Sequence, residues 1–302
     1  MKILCPVDGS DFSRLLMQGV GTVFRSRVKE IVLMHVLPAG HIGKQRIPKD
    51  GKSASWPGGL SEKMTQASNK LLHGHAERLK LVLNQAGTSR LVSLKTKVMK
   101  GDVSDAILRA SESMDADCIA VGSRGMSDVP GYLLGSVSRK IVTHASCSVL
   151  MVKGALAVPI PVLLALDGSK ASKQAIRKII TWLHPDEVSF HAVSVVPEKL
   201  TDLGLEVLGK KQAKELMAPV RKQTQVLLAE SRKKFLQAGF QVDTKLLEGN
   251  PRTQIVEAAQ RLKTQLVCVG SKGLSGIERF TLGSVSEWVS TYSPSSVLVI
   301  RH

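Results

Sequence analysis

VGSRGMSDVPGYLLGSVS occupies residues 121–138, and VGSKGLSGIERFTLGSVS occupies residues 269–286. Each copy leaves an apolar run, turns through glycines, and ends in a Gly-Ser-Val-Ser that opens a helical pattern. A second pair of segments repeats upstream, LCPVDGSDFS at 4–13 and LLALDGSKAS at 163–172. Asp8 matches Asp167 and Val36 matches Val195 at an offset of 159, while Gly87 matches Gly239 at 152. Gly101, Gly122 and Ser136 match Gly249, Gly270 and Ser284 at 148. The offset shrinks from 159 to 148, so the first half carries 11 extra residues, all between Val36 and Gly101. Internal repetition on this scale identifies a duplicated unit. The expected units are residues 1–155 and 156–302, separated near Lys153–Val158.

Within each unit short apolar runs alternate with helical stretches. The runs of the first are Ile3–Val7, Ile31–Leu37, Val92–Val98, Cys118–Val121 and Val149–Val152; those of the second are Val162–Leu166, Val188–Val196, Gln241–Leu247, Leu266–Val269 and Val297–Ile300. Nearly continuous Val, Ile and Leu mark strands covered on both faces. Strand–helix alternation then predicts an α/β fold, a parallel sheet with right-handed crossovers. The Gly-, Pro- and Lys-rich connection from Pro38 to Ser61 reads either as a lid or as a plain insertion.

Composition narrows the class. With 43% hydrophobic and 22% charged residues, each half suffices for a core without staples. No apolar run reaches bilayer length, and the five-residue apolar stretch at the N-terminus, broken by Pro6, is too short for a secretory leader. A cytoplasmic protein without membrane partners is expected. Cys5, Cys118, Cys147 and Cys268 sit in or beside apolar runs and form no CxxC pair, so they read as small buried hydrophobes. The net charge of +17 favours anionic partners. Its cations are spread along the chain and aromatics make up only 4%, which argues against a nucleic-acid stacking platform.

The candidate site combines two segments per unit. Asp8-Gly9-Ser10 leaves strand one, and Gly122-Ser123-Arg124-Gly125 leaves strand four. If those strands are neighbours, both segments meet at one crevice beyond the strand ends. Gly135, Ser136, Val137 and Ser138 open a helix whose free amides and dipole favour an anion, and the serine hydroxyls can add hydrogen bonds to phosphate. A carboxylate such as Asp8 suits a ribose hydroxyl or a magnesium ion. Arg124 and Lys272 read equally as phosphate contacts or as solvated loop residues.

Gly122-x2-Gly125-x9-Gly135-Ser136 and Gly270-x2-Gly273-x9-Gly283-Ser284 resemble the nucleotide-binding signature of the ATP-binding branch of the universal stress protein family. The Asp-Gly-Ser of strand one and the closing strands SCSVLMVK and PSSVLVIR extend the likeness over almost the whole chain, twice. The resemblance implies two doubly wound parallel five-stranded sheets, order 3-2-1-4-5, with helices on both faces. It implies adenine nucleotide (ATP, or ADP or AMP, with magnesium) near Asp8 and Asp167. Val36 and Val195 would line the adenine pocket, with Pro6 and Ala165 nearby. Gly122, Gly125, Gly135, Ser136, Val137 and Ser138 would hold ribose and phosphates, as would Gly270, Gly273, Gly283, Ser284, Val285 and Ser286. It further implies an intrachain pseudo-dimer paired through the last strands, compatible with a further homodimer, and an unidentified regulatory protein partner. Asp128–Gly131 differ from Gly276–Arg279, and Asp102 stands opposite Asn250-Pro251, the latter a difference of helix cap. The first contrast predicts two sites of unequal affinity.

Other nucleotide folds fit worse. GxxxxGK[ST] is absent, the dinucleotide fingerprint is absent, and Met99-Lys100-Gly101 offers no phosphoacceptor. Capping beside Ser10 and Ser169 is the plain alternative for Asp8 and Asp167. His35, His144 and His191 have no partner at metal-ligand spacing. With no Ser–His–Asp constellation and no base aimed at a γ-phosphate, a sensor or regulator in a stress response is expected. A slow ATPase or phosphotransferase, or a scaffold that has lost nucleotide binding, are the alternatives.

Overall fold

The computed structural model describes residues 1–38, 59–85, 87, 92–125, 134–197, 209–273 and 282–301. Most of the Pro38–Ser61 connection, and the contrast between Asp128–Gly131 and Gly276–Arg279, lie outside the described residues.

The first half runs β1 (Lys2–Pro6), α1 (Asp11–Val23), β2 (Glu30–Pro38), α2 (Leu60–Gln85), β3 (Ser93–Gly101), α3 (Val103–Ser113), β4 (Cys118–Gly122), α4 (Ser136–His144) and β5 (Ser148–Val152). The second repeats it as β6 (Ile160–Ala165), α5 (Lys170–Trp182), β7 (Val188–Pro197), α6 (Gly209–Gln237), β8 (Val242–Gly249), α7 (Pro251–Arg261), β9 (Leu266–Gly270), α8 (Ser284–Tyr292) and β10 (Ser296–Ile300). Each apolar run of the sequence became one strand, with ends shifted by a residue or a few.

Both halves have the expected order 3-2-1-4-5, but they share one sheet. Ten strands run β3-β2-β1-β4-β5-β10-β9-β6-β7-β8. All pairings are parallel except the seam, where β10 lies antiparallel to β5 with Leu298 opposite Leu150. Every residue of β5 and β10 is buried, as a central strand pair requires. On one face α1, α2, α5 and α6 cover a core that includes Ile3, Leu16, Leu79, Ile179 and Phe235. On the other, α3, α4, α7 and α8 cover Leu4, Ile107, Ile141, Ile255 and Val289.

Local chemistry sets the helix starts. Ser10 and Ser169 cap α1 and α5 by accepting from the amides of Ser13 and Ser172. Asp102 caps α3 through the Asp105 amide, and Asn250 caps α7 with Pro251 in its first turn, which is the cap difference seen in the sequence.

The seam carries a reciprocal pair of cations. Lys153, just beyond β5, reaches across it and donates from Nζ to the carbonyls of Ser293 (2.6 Å) and Thr291 (3.4 Å), at the end of α8. Arg301, just beyond β10, donates to the carbonyls of Val142 (2.6 Å) and Thr143 (3.1 Å), at the end of α4. Each half therefore supplies the cation that answers the orphan carbonyls and negative dipole end of the other half's last helix. Burial lowers the Lys153 ammonium to about 8.

Candidate functional site

In the second half β6 passes from Ala165 into Leu166-Asp167-Gly168-Ser169, and β9 passes from Gly270 into Ser271-Lys272-Gly273. These strands are neighbours, with Leu163 opposite Val267, and β6 carries β7 on its other side. Strand order reverses there, so the two turns flank the crevice where α/β sheets take ligands.

A cavity of about 670 Å³ opens at that point. Ala165, Asp167, Val195, Gly270, Gly273, Gly283, Ser284, Val285 and Ser286 all line it, so the structure brings every second-half candidate together. The walls divide by chemistry. Val193, Val195, Ile255, Val269 and Leu227 make an apolar side, while the Gly273 turn and the start of α8 make a polar one. Small-molecule sites commonly have this make-up and span roughly 300–1,000 Å³.

The glycines are where side chains would not fit. A Cβ on Gly273 would come within 3.0 Å of Asp167 Oδ2, and one on Gly283 within 3.2 Å of the Ser271 carbonyl. On Gly270 it would meet Ala171 Cβ at 3.2 Å, and on Gly122 it would meet Phe12 Cβ at 2.9 Å. The first two keep the turn tight beside the carboxylate; the last two let α5 and α1 close against the strands. Gly283 and Gly135 each precede a helix without a side-chain cap, so the first amides of α8 and α4 have no capping oxygen from that residue. Ser286 and Ser138 donate their hydroxyls to the carbonyls of Gly270 (2.5 Å) and Gly122 (2.6 Å). Those hydroxyls pin helix to strand, which leaves backbone amides, with the exposed Ser284 and Ser136, as the groups the helix starts offer to an anion.

The first half assembles the same parts differently. Pro6, Asp8, Gly122 and Gly125 stand at the ends of β1 and β4, Gly135, Ser136, Val137 and Ser138 at the start of α4, and Val36 is buried near the end of β2. Asp8 Oδ1 accepts from the Ser10 hydroxyl (2.5 Å), the Ser13 hydroxyl (2.8 Å) and the Ser10 amide (3.0 Å). Asp167 Oδ1 accepts from the Ser169 amide (3.0 Å), while Oδ2 faces Gly273 and the residue is exposed. The Ser172 hydroxyl, counterpart of Ser13, is buried with no hydrogen-bond partner among the described residues. Above Asp8, His75 of α2 lies 3.2 Å from its carbonyl by Nε2, and burial lowers the pKa of that imidazole. Leu227 holds the matching place in α6, against Gly168.

Sequence reasoning missed Lys173, Gln223, Thr224, Glu230 and Pro251, all of which line the cavity. Four lie on α5 and α6, placed there by helix packing rather than by any motif. Lys272 lines it too, whereas Arg124 has only its half-buried position in common with that residue. His35 Nδ1 lies 2.8 Å from the Val7 carbonyl, and His191 Nδ1 lies 3.8 Å from Asp243. All four cysteines are buried and unbridged, and burial raises their thiol pKa values. Among the described residues no helix is long and apolar enough to cross a membrane.

Fold and site together define a fused pair of doubly wound α/β units, each with a glycine-turned crevice at its switch point. The universal stress protein family model matches residues 1–153 and again 161–301, and the chain belongs to that family, as a tandem member. A universal stress protein of Mycolicibacterium smegmatis is 29% identical over 262 residues, covering 82% of this chain and 83% of its own. One from Methanocaldococcus jannaschii is 31% identical over 141 residues, 46% of this chain and 81% of its own. Among solved structures, a universal stress protein from Archaeoglobus fulgidus aligns over 100% of this chain and 96% of its own, with 22% identity and a TM-score of 0.67. That likeness shows the shared fold.

Proposed function

We propose that this protein binds adenine nucleotide, ATP or its products ADP and AMP, and acts as a nucleotide-dependent sensor or regulator in a stress response. The second unit, 156–302, is the principal site. The observation that supports this most is the uncapped start of α8, opening into a cavity that also holds Asp167 and an apolar wall. The amides of Val285 and Ser286 and the Gly273 turn take phosphate oxygens. Asp167 takes a ribose hydroxyl or a magnesium ion, and Val195 and Ala165 pack on the purine. Among the described residues no three His, Cys, Asp or Glu side chains gather as a metal cluster, so magnesium would draw most ligands from phosphate and water. The first unit, 1–155, is a weaker site, because Asp8 is already engaged by Ser10 and Ser13.

Among the described residues no side chain in the cavity is placed as a base with an orienting partner, so any hydrolysis is slow. Mass spectrometry of nucleotide released from the purified protein, with its molar ratio to chain, tests the reading. Adenine nucleotide near one equivalent is expected. Protein that carries none, and shows no thermal shift with ATP and magnesium, would place it among interaction scaffolds. Phosphate release faster than about 1 s⁻¹ would make it an enzyme.

A further inference from the structure

The ten-stranded sheet ends in two edges, β3 and β8, and they are not alike. Among the described residues no strand pairs with the outer side of either. An open edge invites another strand unless charge or shape forbids it. The edges match in register: Leu94-Lys95-Thr96-Lys97-Val98 on β3 corresponds to Val242-Asp243-Thr244-Lys245-Leu246 on β8.

Backbone geometry limits how β8 could take a copy of itself. The Phe190 amide donates to the Gln241 carbonyl (3.4 Å), and Phe190 sits opposite Val242. In a parallel ladder this directs the odd-numbered residues of β8 toward β7, so Val242, Thr244 and Leu246 direct their N–H and C=O outward. An antiparallel pair centred on Thr244 would exchange both bonds between the two Thr244 residues and join Val242 to Leu246 twice. It would also set Asp243 directly across from Lys245 twice, at the closer, non-hydrogen-bonded positions. Shifting the centre to Lys245 would instead put lysine against lysine. On β3 the Thr96-centred pair, equivalent to the favourable one, sets Lys95 against Lys97 twice. Glu30 lies 3.0 Å from Lys95, but the pairing still gathers four lysines.

The flank of β8 points the same way. Beside it an open groove of about 810 Å³ runs along α6, with Leu228, Leu236 and Leu246 among its lining residues. Leu236 is 43% exposed. At the matching place beside β3 the lining includes His73, Glu77 and Lys80. Asp243 is 88% exposed on its side chain. Glu248, farther along β8, is held by Arg221 at 2.7 Å and leaves the central five residues to set the pairing. Arg232 and Lys233 border the groove, where their stems can cover apolar surface with the charges in water.

We propose that β8 is a homodimerisation edge: a second copy of this chain docks by antiparallel β8–β8 pairing about Thr244, with Asp243 facing Lys245 across the twofold axis and the α6 grooves meeting on one side. The seam between β5 and β10 is internal and remains as it is, so the dimer would carry one continuous twenty-stranded sheet, twice the present ten.

Sedimentation velocity on the full chain, from about 1 to about 200 μM, reads the assembly. A dimer is expected for the wild type. Asp243→Lys, which gives β8 the charge pattern of β3, is expected to raise the dimer Kd at least about tenfold. The double variant Asp243→Lys with Lys245→Asp restores complementarity and the dimer, and because both positions are exposed each variant keeps its fold, checked by circular dichroism. Amide exchange should slow at Thr244 and Leu246 in the dimer. A wild type that stays monomeric throughout, or a dimer that Asp243→Lys leaves intact, overturns the proposal.

Discussion

Asp8 and Asp167 occupy the same place in two copies of one unit, yet one carboxylate is turned into its own helix start and the other toward the cradle. Three donors from Ser10 and Ser13 hold Asp8 Oδ1, whereas Asp167 Oδ1 takes the Ser169 amide and Oδ2 stays beside Gly273. The surroundings separate them as well. His75 covers Asp8 where Leu227 covers Gly168, and Phe12 stands where the second half has Ala171. A duplicated site can thus drift in two directions, one aspartate becoming a structural anchor while the other stays open to a ligand.

The largest expected effect lies in the cradle. Gly283→Val would push a side chain toward the Ser271 carbonyl and should weaken nucleotide binding by about 100-fold or more, measured by titration calorimetry. Gly135→Val in the first half should leave that affinity within about twofold. Equal losses from both would erase the distinction between the sites.

Next come the aspartates. Asp8→Ala should lower the unfolding free energy by about 1–2 kcal/mol in urea titrations, because the Ser10 and Ser13 hydroxyls and the Ser10 amide lose their shared acceptor, and leave the second-half affinity unchanged. Asp167→Ala should do the reverse, with a stability change under about 0.5 kcal/mol and nucleotide affinity down about tenfold.

The cations at the seam offer a comparison by pH. Folded Lys153 titrates near 8 against 10.5 for the ordinary group, so between those values the unfolded chain binds the proton that the folded chain has released. Stability carried by this group therefore rises with pH across that window. Relative to Lys153→Met, the wild type should gain about 1–2 kcal/mol from pH 8 to 10.5, a range reduced from the full shift because the residue is only half-buried. Arg301 stays charged throughout, and Arg301→Met should show no such slope against the wild type.

The smallest effect is among the serines. Ser13→Ala removes a bonded hydroxyl and should cost about 1 kcal/mol, while Ser172→Ala deletes a buried hydroxyl with no partner among the described residues and should be neutral or stabilising by about 0.5 kcal/mol. Chemical denaturation of the two single variants resolves the difference.

Most of the fold was legible because it is written twice. Apolar runs such as Ile31–Leu37 and Val149–Val152 are dictated by burial on both faces, and each became a strand. Their merger into one sheet came only as an implication of family likeness, since nothing local marks β5 or β10 as a seam strand. Of the site, the glycines were legible because close backbone approach demands them, and Asp167 because the same carboxylate leaves strand one in both copies. Gln223, Thr224 and Glu230 were not, because helix α6 brings them to the cavity through contacts distant in sequence. Nor was the turning of Asp8, since both copies read Asp-Gly-Ser followed by a serine three residues on.

Lys153 and Arg301 give the fusion a meaning in evolutionary bookkeeping. A unit made as a separate polypeptide must carry an identical partner surface on every copy, so any change at the joint is felt in duplicate. Once tethered, the mate is always present at high effective concentration, and the pair can become lysine on one side and arginine on the other without losing the marriage. The freedom to specialise that shows at Asp8 begins at this joint.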